Sequence, residues 1–307
     1  MMRKEEYINQ LKQGLQQYPY AFQQEILEAF EEHFNEAFAN NLTEQEIIDS
    51  LGTVEEVLQN VQEIEVAAVP APITNYTSVR IHIPLGNCDV TVYTADTTNY
   101  TYKPSIFGNS KNYIVDKVEN NECIIEPAYI DQAMNGKLFV YVHPNTDITI
   151  ETKTSDVKIK NCTLHNATIK TTSGDVKFEY STIQNIQVET TTGDIDTKRC
   201  TLQQCVANAL SGDITFKSNS DTVDLRTVSG DIDADFMEVN KARLIATSGD
   251  IDVMVNDVEY TLQVETVSGD IDISTDSHKY CGSGSCTFGS GPSVLSISTM
   301  SGDVFIE

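Results

Sequence analysis

The sequence predicts an α+β multidomain protein: a small N-terminal helical bundle followed by a parallel β-solenoid (β-helix) with coils of about nineteen residues. Three observations carry this. Apolar residues recur at helical spacing over residues 3–64. From residue 77 the apolar period changes to two. A Ser/Thr-Gly-Asp unit then returns, with Ser155 in place of Gly in the first copy and aspartates at Asp156, Asp175, Asp194, Asp213, Asp231, Asp250, Asp270 and Asp303, at intervals of 19, 19, 19, 18, 19, 20 and 33.

The helical segment is residues 1–65. Tyr7, Leu11 and Leu15 share one face, and Pro19 fits the start of a second helix. Phe22, Ile26, Ala29, Phe30, His33, Phe34 and Ala37 form its apolar stripe. Two capping boxes follow, Thr43 with Glu46 and Thr53 with Glu56, separated by Gly52 at the end of the helix between them. The result is four short helices. His33 reads as a packing histidine on an apolar face rather than a sensor.

The pattern over residues 2–64 resembles the HAAS family, the helix-turn-helix-associated α-helical signalling domain. Its carriers are Arg3-Lys4-Glu5-Glu6-Tyr7, Phe30-Glu31-Glu32-His33-Phe34, and Thr43-Glu44-Gln45-Glu46-Ile47-Ile48 leading to Leu51-Gly52. Asn40-Asn41 stands where the family has Gly, and Thr53-Val54 where it has Pro. The resemblance implies a domain that relays signals and is often encoded beside PadR-type repressors.

Residues 66–76, with Ala67, Ala68, Pro70, Ala71 and Pro72, read as an extended linker. Residues 77–150 read as an irregular β region capping the first end of the solenoid, since repeat arrays need such a cap. Val79, Ile81 and Ile83 alternate there, as do Leu138, Val140 and Val142.

Residues 151–307 are the solenoid. One residue after each repeat aspartate stands Val157, Val176, Ile195, Ile214, Ile232, Ile251, Ile271 or Val304. A second strand supplies Ile169, Val188, Ala207, Leu225, Leu244 and Val264. Two residues later come Thr171, Thr190, Ala209, Thr227, Ala246 and Thr266, which suit a narrow interior. The repeat glycine is expected to supply a positive φ at a sharp corner. The aspartate is expected to accept backbone N–H groups, as in an Asx-turn.

This run, through units such as Val228-Ser229-Gly230-Asp231-Ile232-Asp233 and Thr247-Ser248-Gly249-Asp250-Ile251-Asp252, resembles the putative-adhesin β-strand-repeat family, a domain of unknown function. With the cap region, the resemblance spans about residues 77–307.

Composition narrows the function. The chain carries 20 basic and 46 acidic residues, a net charge of −26, which disfavours nucleic acid and anionic membrane surfaces. No stretch is apolar enough to span a membrane, and the N-terminus has no apolar signal-peptide core. Seven cysteines, mostly single, suit a reducing cytoplasm.

The acidic columns are the candidate chemistry. Asp231, Asp233, Asp250, Asp252, Asp270 and Asp272 are expected to cluster on adjacent rungs, offering oxygens of the kind Ca²⁺ takes. Spacing alone encodes no ligand cage, so the favoured reading is a solvated edge of turn-forming aspartates, with no metal or cofactor. Paired carboxylates also suggest glycosidase or lyase chemistry, but a residue repeated in every coil is better explained by turn geometry than by an active site. Residues 277–292 interrupt the repeat with a Gly/Ser insertion. Cys281 and Cys286 there suggest a disulfide or, with His278, a partial metal or nucleophile site. Free thiols in a flexible loop are the favoured reading.

The sequence therefore predicts a cytoplasmic, non-enzymatic interaction or signalling scaffold with a protein partner. The alternative is a surface carbohydrate-binding or carbohydrate-cleaving β-helix. The strand Val304-Phe305-Ile306 reads as the open end of the rod. Either the insertion covers that end or two molecules meet there, and the insertion's four glycines favour a homodimer through the C-terminal solenoid end.

Overall fold

A computed structural model of the chain describes residues 3–17, 27, 30, 34, 37–38, 42–58, 73–74, 76–105, 114–129, 133–236, 239–255, 260–274 and 279–307. Pro19, Phe22, Ile26, Ala29, His33, His278 and most of the 66–76 linker lie outside these residues. The chain divides into two compact units, a helical one built on residues 1–68 and a β one built on 69–103 and 111–307.

In the helical unit, α1 spans Lys4–Gly14 and α2 spans Glu44–Leu51, and residues 54–58 are helical. The described apolar residues of this unit form one core, with Tyr7, Leu11, Leu15, Phe30, Phe34 and Ile47 fully buried. Both capping boxes close. The Thr43 N–H donates to Glu46 Oε2 at 2.8 Å, and the Thr53 N–H to Glu56 Oε2 at 2.8 Å. Gly52 sits at φ 78° between them, where only glycine is free of strain.

The β unit begins with β1 (Ser78–Ile83), β2 (Cys88–Thr94), β3 (Asn99–Pro104), β4 (Ile114–Glu119), β5 (Glu122–Pro127), β6 (Gly136–Val142) and β7 (Thr146–Thr152). Then come β8 (Val157–Lys160), β9 (Thr163–Lys170), β10 (Val176–Glu179), β11 (Thr182–Thr190), β12 (Ile195–Ala209), β13 (Ile214–Ser229), β14 (Ile232–Phe236), β15 (Val239–Ser248) and β16 (Ile251–Val255). The last are β17 (Tyr260–Ser268), β18 (Ile271–Ser274), β19 (Lys279–Gly282), β20 (Ser285–Phe288), β21 (Ser293–Ser301) and β22 (Val304–Ile306).

These strands stack as two parallel ladders in a β-solenoid-like fold. One runs β5–β1–β7–β9–β11–β12–β13–β15–β21–β17. The other runs β6–β2–β8–β10–β12–β13–β14–β16–β22–β18. Strands β12 and β13 run through a corner and join both. In-register pairs follow the sequence repeat: Val157, Val176, Ile195, Ile214, Ile232 and Ile251 are successive partners. Their side chains alternate inward, so one continuous core runs from Ile73 to Ile306. Inside it Phe178, Thr197, Phe216 and Ala234 share a column, and the small residues make room for the rings.

The order of coils differs from the sequence order at both ends. Within residues 77–150, strands β1, β2, β5, β6 and β7 continue the two ladders, with the β1/β2 coil stacked inside and the β5/β6 coil outside it. At the far end β22 is not the open edge. It lies between β16 and β18, as β21 lies between β15 and β17. The outer coil there is β17/β18. Its backbone edge is covered by the insertion, since β20 pairs antiparallel to β17 and β19 antiparallel to β18. An uncovered edge would leave a row of backbone N–H and C=O groups unpaired, and these two strands satisfy it. The described residues of the insertion thus form strands over this edge, and the bare-end argument for a homodimer falls. Strand β4 covers β5 antiparallel in the same way at the first end.

Candidate functional site

The repeat aspartates form one edge of the stack, and each is held in the same way. The Asp175 N–H donates to Asp156 Oδ1 at 2.9 Å, Asp194 to Asp175 at 3.0 Å, and Asp213 to Asp194 at 2.9 Å. Asp231 donates to Asp213 at 2.9 Å and Asp250 to Asp231 at 2.8 Å. The return bond comes from the residue after each aspartate. The Val157 N–H donates to the Asp175 carbonyl at 2.8 Å, and Ile232 to that of Asp250 at 3.0 Å. Each step is therefore a two-bond clasp between coils. Sequence reasoning foresaw a carboxylate accepting N–H groups, but the donors belong to the next coil rather than to the same turn.

Asp89 starts the ladder, although no Ser-Gly pair precedes it. Its Oδ1 accepts the Asp156 N–H at 3.3 Å. The signal was present in Asp89-Val90-Thr91-Val92, which keeps the repeat's Asp-Val-x-apolar pattern without the preceding Ser-Gly. Burial, followed by the Asp156 charge, raises the Asp89 carboxyl above its ordinary value, while the Asp156 N–H opposes this.

The repeat glycines have a different cause from the one expected. None of Gly174, Gly193, Gly212, Gly230, Gly249, Gly269 or Gly302 has a positive φ. Positive φ falls instead at the other corner, on Asn161, Tyr180 and Arg199. A Cβ on Gly249 would run into the carbonyl of Gly230, and one on Gly230 into that of Gly212. Glycine is needed because successive coils touch backbone to backbone. The buried threonines stitch the same corner. Thr227 Oγ1 donates to the Gly212 carbonyl at 3.0 Å and Thr299 Oγ1 to that of Gly249 at 3.1 Å.

The six candidate ligand residues are only partly brought together. Asp231 and Asp250 are ladder members, and Asp233 and Asp252 are register neighbours. Asp270 and Asp272 lie one coil further away, because Asp303 and Phe305 intervene. Asp233 is paired with Lys217 at 2.7 Å. Burial, then the charges of Asp233, Asp250, Asp231 and Glu307, raise the Asp252 carboxyl above its ordinary value. Among the described residues no group of three or more His, Cys, Asp or Glu side chains is arranged to hold a metal ion.

The buried thiols offer little nucleophilic chemistry. Burial pushes Cys88, Cys123 and Cys205 up to about 12 and Cys162 to about 11. Cys281 and Cys286 are free, the first opposite Asp272 and the second opposite Val264.

Parallel strands whose most regular polar residues clasp one coil to the next make a β-rich repeat architecture. Residues 79–307 match the family described as Toastrack DUF4097, and the chain belongs to that family. Residues 6–60 match the HAAS family. Three solved structures are similar. A putative adhesin from Bacteroides fragilis is 14% identical, over 77% of this chain and 94% of that one, with a TM-score of 0.44. A putative lipid binding protein from Parabacteroides distasonis is 16% identical, over 77% and 95%, with a TM-score of 0.47. A putative cell adhesion protein from Clostridium sporogenes is 10% identical, over 78% and 96%, with a TM-score of 0.29. No curated protein matches. No helix among the described residues is long and apolar enough to cross a membrane.

Proposed function

We propose that the chain is a non-enzymatic interaction scaffold: a HAAS signalling module joined to a parallel β-solenoid of about nineteen-residue coils whose surface binds a protein partner. The observation that supports it is the use of the aspartates. The side chains that would do acid–base chemistry are repeated in coil after coil and engaged in inter-coil bonds. An active site is a single constellation, and this edge is a repeated one. Buried free cysteines support a cytoplasmic setting.

Two measurements on the purified chain test this. The chain releases no oligosaccharide from a panel of polysaccharides, and defined products would refute the scaffold reading in favour of the carbohydrate-cleaving one. A protein from source cells is retained in fixed ratio by the intact chain. Retention that survives deletion of residues 1–65, with cooperative melting preserved, assigns binding to the solenoid. Secretion of the native protein into the medium would refute the cytoplasmic assignment.

A further inference from the structure

The corner that precedes the repeat aspartates carries an exposed apolar row. The position is Thr172 and Thr191 in earlier coils, then Leu210, Val228, Thr247, Met300 and Val267 in coil order. The four apolar members are between 45% and 74% exposed. Threonine serves the same corner in the earlier coils and again at Thr247, so stacking does not require an apolar group there. Side chains left this far in water also gain little from the core. The row leaves a strip of apolar surface about 19 Å long, four steps of about 4.8 Å.

One side of the strip is acidic. Next to it runs the clasp row of Asp213, Asp231, Asp250, Asp303 and Asp270. The bonds that the first four accept come from neutral N–H groups and leave their charges in place. The next outward row is Thr215, Asp233, Asp252, Phe305 and Asp272, and beyond it stand Lys217, Asp235 and Met254. Lys217 is already paired with Asp233 at 2.7 Å. Burial, then the charges of Asp233, Asp250, Asp231 and Glu307, raise the Asp252 carboxyl, so these carboxylates act on one another. The other side of the strip is nearly balanced. It carries Asn208, Arg226, Ile245, Ser298 and Glu265, with Arg226 held by Asp224 at 2.6 Å and Arg243 beside Asp224 in register.

We infer that this corner binds an amphipathic helical segment of a protein partner, its apolar face on the strip and a flank of lysines or arginines over the aspartates. The inference rests on the scaffold reading and adds to it the surface used and the chemistry of the partner. The charge selects the partner's sign: an acidic segment is repelled along the whole clasp row, and a basic one is drawn to it. The spacing selects a helix. Apolar residues on one helix face recur each turn, about 5.4 Å, close to the coil step, and about thirteen residues span the strip. Same-face residues of a strand recur every 6.8 Å or so and fall out of step. Strand addition also needs an open edge, and β19 and β20 cover the far one. The contact is small and partly ionic, so it weakens with salt.

The test is fluorescence anisotropy on the full chain with a labelled probe, a designed peptide of about fourteen residues with leucines on one helix face and lysines on its flanks. Controls are a shuffled peptide of the same composition and one with glutamate for lysine. The wild type binds the probe with a Kd on the order of 10 µM at low salt, more weakly at high salt, and binds both controls at least about tenfold more weakly. Val267→Ser with Met300→Ser weakens binding by about tenfold or more. Asp252→Asn with Asp272→Asn, which spares the clasp row, weakens it severalfold and flattens the salt dependence. Thr247→Leu completes the apolar row and tightens binding, a gain that misfolding cannot imitate. Equal binding of the shuffled peptide, undiminished binding by the Val267/Met300 variant, no gain from Thr247→Leu, or no binding by the wild type would each overturn the inference. Those results would leave the scaffold reading standing with another surface in use, whereas release of defined oligosaccharides would remove that reading itself.

Discussion

Asp250 Oδ1 accepts the backbone N–H of Asp303 at 2.8 Å, although the two residues are 53 apart in sequence. Asp303 in turn accepts the N–H of Asp270 at 2.8 Å. The coil of β21 and β22 has entered the stack between two coils made earlier in the chain, and the aspartate ladder passes through it without a break.

The ladder predicts an ordering of substitutions at Asp231. Its carboxylate accepts the Asp250 N–H at 2.8 Å, a charge-assisted bond. Asp231→Ala lowers stability by about 1–2 kcal/mol, and Asp231→Asn, which keeps a carbonyl acceptor, by less. Urea unfolding of the two variants checks this. Equal losses would mean that the side chain serves only its own turn.

Glycine at the same corner is less replaceable. Gly249→Ala drives a methyl into the Gly230 carbonyl, and neither backbone can yield without shifting the stack. The expected loss is about 3 kcal/mol, at the upper end for overpacking. Gly284→Ala meets no atom within 4 Å but sits at φ 91°, so it costs only about 1 kcal/mol of backbone strain. Thermal melts compare the two, and the reverse order would restore positive φ as the reason for the repeat glycine.

Two carboxylates predict opposite responses to pH. Hydrogen bonding to Lys158 leads the causes that hold Glu179 below its ordinary value. Its stabilisation is present above the ordinary carboxylate pKa and is lost as pH falls through the lowered one. Glu179→Gln therefore destabilises at neutral pH, and the difference fades in acid. Asp252 is raised, so its ionisation weakens the fold as pH rises through the raised value. Asp252→Asn stabilises at neutral pH, and that gain fades in acid. Melting temperatures from acid to neutral pH read both. A neutral Asp252→Asn would show that its neighbours' charges are screened away.

Much of this architecture was legible because burial is periodic. The stripe Tyr7, Leu11, Leu15 and the columns headed by Val157 and Ile169 each follow from one face meeting one core. The end coils were harder. The interval of 33 before Asp303 reads equally as an insertion within a last coil or as a coil stacked out of order, because every coil presents the same apolar columns. The pairing of Phe305 with both Asp252 and Asp272 separates them. The glycine was found for the wrong reason, since sequence does not distinguish a left-handed φ from a close approach.

The threaded coil is tested most directly by cross-linking on the outward column. In a background with Cys281→Ser and Cys286→Ser, the pair Asp252→Cys and Phe305→Cys sits on neighbouring strands about 4.8 Å apart. The pair Asp252→Cys and Asp272→Cys is separated by the whole β22 strand, about twice that distance. Mild oxidation should join the first pair and leave the second reduced. Efficient cross-linking of residue 252 to residue 272, with none between 252 and 305, would put the coils in sequence order and contradict the account.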